Sequence, residues 1–288
     1  MTTSFQRGLK TYSLAKPTLT ANSVGRFSTA DQLQNAKIWP YPTRTSSTVL
    51  AVGPNASPYI ICYAWNDSTG FGVKYSDPAQ SVLGLPNELQ FSPDSSMLLY
   101  TVSSGYGIYV YPFDDVNGFG TQYSGIPVNY PQSAGMQAKW AKNQEGIINA
   151  NGGGTYPLRA WKFDKTTTNG WINQEFADPG GAPGSGTEYR LVLSRSGNSF
   201  VTTTSTSPFA WAYPISWDGN GSFGTRVIAT NFPASAIQAA DFSKSGNYFI
   251  YGTGTTPFLY ASTYSDVSTS QSTFSLTAAY TIGAALSN

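Results

Sequence analysis

The chain repeats itself with a period of 48 residues, and that period limits what it can fold into more than any other feature. The run Tyr63-Ala64-Trp65-Asn66-Asp67-Ser68-Thr69-Gly70-Phe71-Gly72-Val73-Lys74-Tyr75-Ser76 returns without a gap as Tyr111-Pro112-Phe113-Asp114-Asp115-Val116-Asn117-Gly118-Phe119-Gly120-Thr121-Gln122-Tyr123-Ser124. Weaker copies are Trp161-Lys162-Phe163 with Gly170-Trp171, Tyr213-Pro214-Ile215 with Ser222-Phe223-Gly224-Thr225, and Phe258-Leu259-Tyr260 with Phe274. A second element precedes each copy: an apolar residue, a turn and another apolar run. Phe91-Ser92-Pro93-Asp94, Leu193-Ser194-Arg195-Ser196-Gly197-Asn198 and Phe242-Ser243-Lys244-Ser245-Gly246-Asn247 are the clear cases. Trp140-Ala141-Lys142-Asn143 and Thr43-Arg44-Thr45-Ser46 are fainter. Short apolar runs punctuated by Gly, Asn, Asp and Pro are strands joined by tight turns. Four strands, A to D, in a unit of this length make one blade of a β-propeller.

Five units run from about Lys37 to Leu276, and a chain of 288 residues holds six periods. The ends are expected to complete the sixth. Gly8 to Leu14 reads as a strand C, Gly25-Arg26-Phe27-Ser28 as a strand D, and Thr281 to Ser287 as a strand A. The expectation is therefore an all-β fold: a single β-propeller over residues 1–288, of six four-stranded blades, one of them split between the termini, with five or seven blades as alternatives. A split blade would close the ring and hide both free sheet edges. The repeated aromatics Phe71, Phe119, Trp171, Phe223 and Phe274 are expected to pack between neighbouring blades.

Composition supports the fold and removes several functions. Aromatic residues are 15%, charged residues only 11%, and net charge is +1. Scattered charge gives no basic surface for nucleic acid and no attraction to anionic membranes. No apolar run approaches the roughly 18 residues of a spanning helix, so membrane insertion is not expected. The single Cys62 cannot form an internal disulfide and reads as a buried thiol. Met1 to Arg7 lack the layout of a secretion signal, which points to synthesis in a cytoplasm. Asn55, Asn66 and Asn220 head glycosylation triplets and read as turns.

The phrases Trp65 to Pro78 (Trp-Asn-Asp-Ser-Thr-Gly-Phe-Gly-Val-Lys-Tyr-Ser-Asp-Pro) and Phe91 to Ser96 (Phe-Ser-Pro-Asp-Ser-Ser) resemble the WD-repeat-like propellers of tailed bacteriophages, over about residues 37 to 275. The Gly-Phe-Gly-x-x-Tyr-Ser-x-Pro continuation carries the resemblance better than Phe-Ser-Pro-Asp, which many propellers share. The Gly-His and Trp-Asp hydrogen-bonded network of true WD repeats is missing, because there is no histidine. The resemblance implies a virion component that is made in the host cytoplasm and contacts other virion proteins of the capsid or tail.

Catalytic chemistry finds little to work with. Without histidine the commonest general base and metal ligand are gone, and one cysteine makes no zinc site. No nucleophile elbow, phosphate loop or dinucleotide fingerprint occurs. No catalytic residue, metal or cofactor is expected. Acidic residues sit mostly in turns, and alternation around Phe91, Trp140 and Phe242 points Gln90, Lys139 and Asp241 toward a polar central channel. Asp114 to Gly118 and Asp218 to Gly221 lack the closing acid of a calcium loop and read as turns. The B–C loop tips repeat an aromatic beside Pro, Gly or Thr: Tyr59, Tyr106, Tyr156, Phe209 and Phe258. They are the binding candidates, with burial between blades the competing reading. The expected function is a non-enzymatic structural or adhesive part of a phage particle, such as a capsid decoration, tail-tip or fibre protein, with a host-surface glycan or receptor as a further partner. A lectin-like carbohydrate-binding propeller is the alternative, and a glycan hydrolase comes after it.

Overall fold

The computed structural model describes residues 33–40, 48–54, 57–66, 68–80, 86–102, 107–124, 137–150, 158–177, 190–204, 209–230, 236–253, 259–266, 273–275 and 278–282. Every regular element among them is a strand. The first sheet runs β1 (Leu33–Pro40), β2 (Thr48–Pro54), β3 (Ile61–Asn66), β4 (Gly70–Lys74) in chain order. The second runs β5 (Pro86–Phe91), β6 (Met97–Val102), β7 (Gly107–Asp114), β8 (Gly118–Phe119), and the third β9 (Gln137–Trp140), β10 (Gly146–Ala150), β11 (Leu158–Phe163), β12 (Trp171–Glu175). In the fourth, β13 (Arg190–Leu193), β14 (Ser199–Thr203) and β15 (Ala210–Ser216) are followed by an outer strand in two pieces. These are β16 (Ser222–Phe223), paired at Ile215, and β17 (Val227–Thr230), paired at Trp211 and Ala212. The fifth holds β18 (Ile237–Phe242), β19 (Tyr248–Thr253), β20 (Leu259–Thr263) and β22 (Ala278–Ile282). Five successive four-stranded antiparallel units, each built in chain order, are blades of a β-propeller.

The turn motifs of the sequence have a visible cause. In the Phe-Ser element the serine hydroxyl accepts the first main-chain N–H of strand B, from Met97 to Ser92 at 3.0 Å, Ser199 to Ser194 at 3.3 Å and Tyr248 to Ser243 at 3.2 Å. A side-chain oxygen thus closes the A–B hairpin where the ladder has no partner to offer. The C–D turn needs a residue at positive φ, and glycine supplies it at Gly118 (φ 81) and Gly221 (φ 75).

Blades meet through their side chains. Leu89, Leu98 and Tyr100 of the second blade join Val49, Ile60 and Cys62 of the first. Met97, Leu99 and Val110 join Trp140, Trp161 and Trp171 of the third. Ile148, Ala160 and Phe176 join Phe200, Tyr213 and Ile215 of the fourth, and Val201, Ala212 and Val227 join Phe249, Tyr251 and Tyr264 of the fifth. Every core cluster therefore straddles two blades, because each strand buries alternate side chains on opposite faces. The inner strands lie side by side in the order β1, β5, β9, β13, β18. Cys62 is fully buried, and burial pushes its thiol well above the ordinary range.

Two strand assignments made from the sequence are corrected. Thr281 and Ile282 do not begin an inner strand of a split blade; they end β22, paired with Tyr260 and Leu259 as the outer strand of the fifth blade. Phe274 is not on that blade's fourth strand either. It lies on β21 (Thr273–Ser275), which pairs in parallel with β17 of the fourth blade. The reason lies after β20, where no Gly-Phe-Gly turn reverses the chain. Asp266 is held instead by Ser199 of the fourth blade at 2.6 Å, so the chain crosses to the β17 edge before it returns. The N-terminal strands expected at Gly8 to Leu14 and Gly25 to Ser28, and residues 283–287, lie outside the described residues.

Candidate functional site

The loop-tip face holds two of the five aromatic candidates among the described residues. Tyr59 follows the cis Ser57–Pro58 bond and sits at φ 59. A bulky side chain at positive φ is strained, and the ring is half-buried against the core between the first and second blades, as is Tyr109. Burial, with Tyr111, Tyr109 and Tyr59 close by, pushes the neighbouring Tyr100 phenol far above its usual range, so it stays neutral. Phe209 is half-buried at the neck of its hairpin, where its main-chain oxygen accepts the Thr204 N–H at 2.9 Å. Tyr106, Tyr156 and Phe258 lie outside the described residues.

The opposite face is made of A–B and C–D turns, and here each blade grips the next. The Tyr75 hydroxyl donates to the Asp115 main-chain oxygen at 2.9 Å, and Tyr123, one period on, donates to that of Lys165 at 3.1 Å. Their rings stand edge-on to Phe113 and Phe163, with centroids 5.3 and 5.0 Å apart. Phe176 occupies the same place against Trp217 and Phe223. Lys165 pairs with Asp94 of the preceding blade. Trp217 covers Gly146, where an added Cβ would come within 2.2 Å of its ring. The Ser199 hydroxyl, fully buried, lies 2.8 Å from the Tyr264 hydroxyl and donates to Asp266. The Arg195 guanidinium donates to the main-chain oxygens of Phe242 at 2.7 Å and Ser243 at 3.1 Å.

Sequence reading missed the strongest of these gripping residues. Trp171 is buried between blades as expected, and Phe119 and Phe223 are half-buried there. Phe71 packs edge-on against Tyr63 and Trp65 of its own blade. Tyr75, Tyr123 and Phe176 come a few residues later and reach the next blade directly. The signal was present, since Tyr closes the Gly-Phe-Gly-x-x-Tyr phrase in both strong copies.

Polar side chains of the inner strands are also spent on neighbouring blades. Glu88 pairs with Lys139 at 2.9 Å. Gln90 accepts the Trp140 N–H at 3.0 Å, and Gln137 accepts that of Leu191 at 2.9 Å. Asp241 is exposed and lies 3.5 Å from Arg195. The third blade departs from the pattern: where the second and fifth place the tyrosine pairs Tyr100–Tyr109 and Tyr251–Tyr260, it buries Asn149 beside Arg159, which pairs with Glu175. A buried ion pair of this kind contributes little net stability but is costly to break on one side.

Three acidic side chains of this face, Asp94, Asp266 and Asp114, serve as hydrogen-bond acceptors. Burial alone would raise the Asp94 carboxyl, but Lys165, the Ser96 N–H and the hydroxyls of Ser96 and Ser92 hold it well below the usual range. Asp266 is lowered in the same way, against burial, by Ser196, Ser199 and Ser194 and by the charge of Lys142. The Asp114 carboxylate accepts the Val116 and Asn117 N–H groups, as expected of an Asx turn. Such carboxylates are poor proton donors or acceptors near neutrality. Among the described residues no three His, Cys, Asp or Glu side chains converge as metal ligands.

This arrangement defines a class, the β-propeller whose blades are clasped turn to turn. No protein-family model matches the chain, and no curated protein sequence does. Solved structures do. A protein from Lactobacillus plantarum is 16% identical, with 68% of this chain and 55% of that one covered and a TM-score of 0.49. Hsv2 from Kluyveromyces lactis is 10% identical, with 81% and 63% covered and a TM-score of 0.49. The Dos1 propeller is 16% identical, with 74% and 52% covered and a TM-score of 0.45. The chain thus spans less than two thirds of the length of these proteins, and likeness at this level bears on neither function nor partners.

Proposed function

We propose that the protein is a non-enzymatic binding disc of a tailed-phage particle, made in the host cytoplasm and docked on capsid or tail proteins. The repeated Gly-Phe-Gly-x-x-Tyr-Ser phrase carries the phage reading. The clasped turns support the non-enzymatic part, because they use the acidic side chains as structural acceptors and leave a stiff frame. Such a frame can meet the particle with one face and its surroundings with the other. The loop-tip face is the one proposed to bind, since it carries the repeated aromatic candidates. Antibody raised against the purified protein should label assembled particles of the phage that encodes it. Labelling confined to lysate fractions without particles would contradict the proposal.

A further inference from the structure

Three C–D turns place an Asn-Gly pair at the same position: Asn117-Gly118, Asn169-Gly170 and Asn220-Gly221. A fourth pair, Asn151-Gly152, lies outside the described residues. All three asparagines are exposed, and all three glycines have positive φ. An asparagine followed by glycine can cyclise, because no side chain shields the next amide nitrogen. The three turns differ in how firmly they hold the reacting groups.

Asn117 is restrained. Its carboxamide donates to Asp114 Oδ2 at 3.2 Å, and its own N–H donates to Asp114 Oδ1 at 2.6 Å. At Asn169 the attacking nitrogen is restrained, since the Gly170 N–H is held by both the main-chain oxygen and the hydroxyl of Thr167, at 3.2 and 3.0 Å. At Asn220 the Gly221 N–H donates only to the Asp218 main-chain oxygen, at 2.9 Å. Glycine also precedes Asn220: Gly219 has φ 54 and open space around it. Asn220 therefore combines exposure, a glycine on each side and a single hydrogen bond to give up.

We propose that Asn220 is a deamidation site, at which the fourth blade's C–D turn is converted to isoaspartate. The Gly221 nitrogen attacks Asn220 Cγ, the bond from Cγ to Nδ2 breaks, and ammonia leaves carrying the proton from the Gly221 amide. Water then opens the cyclic imide at either carbonyl, giving aspartate or isoaspartate without any change of oxidation state. The product matters because of what the turn touches. A Cβ on Gly221 would fall 2.0 Å from the Phe176 ring of the third blade. The extra main-chain methylene of isoaspartate is inserted beside this contact and loosens the clasp between the third and fourth blades.

The test is to incubate the native full-length protein at mildly alkaline pH and follow each Asn-Gly peptide by mass spectrometry and isoaspartyl methyltransferase labelling. Asn220 should convert several-fold faster than Asn117, mainly to isoaspartate, whereas in the urea-unfolded chain the two should convert at similar rates. The aged protein should melt below fresh protein, and Asn220→Asp, which adds the charge without the extra methylene, should melt close to it. Equal conversion of Asn117 and Asn220 in the native protein would overturn the proposal. So would an intact Asn220 under conditions where the unfolded chain reacts, or aged protein that melts with the fresh.

Discussion

The hydroxyl of Tyr75 crosses from the first blade to the second and donates a hydrogen bond of 2.9 Å to the main-chain oxygen of Asp115. Its ring also lies against Gly118, where an added Cβ would stand 3.1 Å from it. One residue thus caps a turn with its polar end and packs a seam with its apolar body. Tyr75→Phe should lose about 1 kcal/mol, the net worth of one hydrogen bond. Tyr75→Ala should lose about 2–3 kcal/mol, at the low end for aromatic truncation because the ring is only half-buried. Urea unfolding of both variants checks this; equal losses would place the whole effect in the hydroxyl, and an unchanged Tyr75→Phe would place it in the ring.

The glycines of the C–D turns should rank by what surrounds them. Gly70 has φ 80 with nothing near its missing Cβ, while Gly221 has φ 75 with the Phe176 ring in the way. Gly70→Ala should cost about 1 kcal/mol from the left-handed conformation alone. Gly221→Ala adds a steric clash and should cost about 2–4 kcal/mol. Thermal melts of the two variants decide it, and the reverse order would contradict the turn-on-blade packing.

Much of this was legible in the sequence, and what was not has a physical reason. The period and the Phe-Ser and Gly-Phe-Gly phrases locate the strands of the strong repeats, because hairpin turns demand a hydroxyl and a positive-φ residue at fixed places. The last unit misled because pairing at a free strand edge is not written in local residues. Phe274 resembles the other repeated aromatics but joins the fourth blade, and Thr281 and Ile282 complete the fifth. Tyr59 shows the same limit for the site. Its place at a loop tip is visible in sequence, but the half-burial of its ring against the core between the first and second blades is a tertiary fact.

The pairing of Asp94 with Lys165 sets a pH dependence. Folding lowers the Asp94 pKa, so its stabilisation is fully present above the unfolded carboxyl value of about 3.9 and is lost as pH falls through the folded value. Asp94→Asn should therefore be less stable than the parent at neutral pH, and the gap should narrow steadily below about pH 4. Melting curves from neutral to acidic pH check this. A gap that widened on acidification would mean that Asp94 is not held as the anion. The ion pair is partly exposed, so added salt should narrow the neutral-pH gap as well.

Trp171 tests the seams themselves. It is buried among Trp161, Phe163 and the second blade's Met97 and Leu99. Trp171→Ala should cost about 3–5 kcal/mol. Phe71→Ala, which unpacks a ring half-exposed on its own blade, should cost clearly less in the same denaturant series. Equal losses would show that the outer aromatics do not differ in role.

The central claim is that the disc works by binding through its loop-tip face. The direct measurement is docking of purified protein to phage particles that lack it, compared with a variant in which Tyr106, Tyr156, Phe209 and Phe258 are all serine. The account predicts that the parent co-sediments with the particles and that the variant melts near the parent yet docks at least several-fold more weakly, because aromatic anchors dominate such interfaces. Unimpaired docking by a folded variant, or glycan hydrolysis by the parent that disappears with Asp241→Asn, would contradict it.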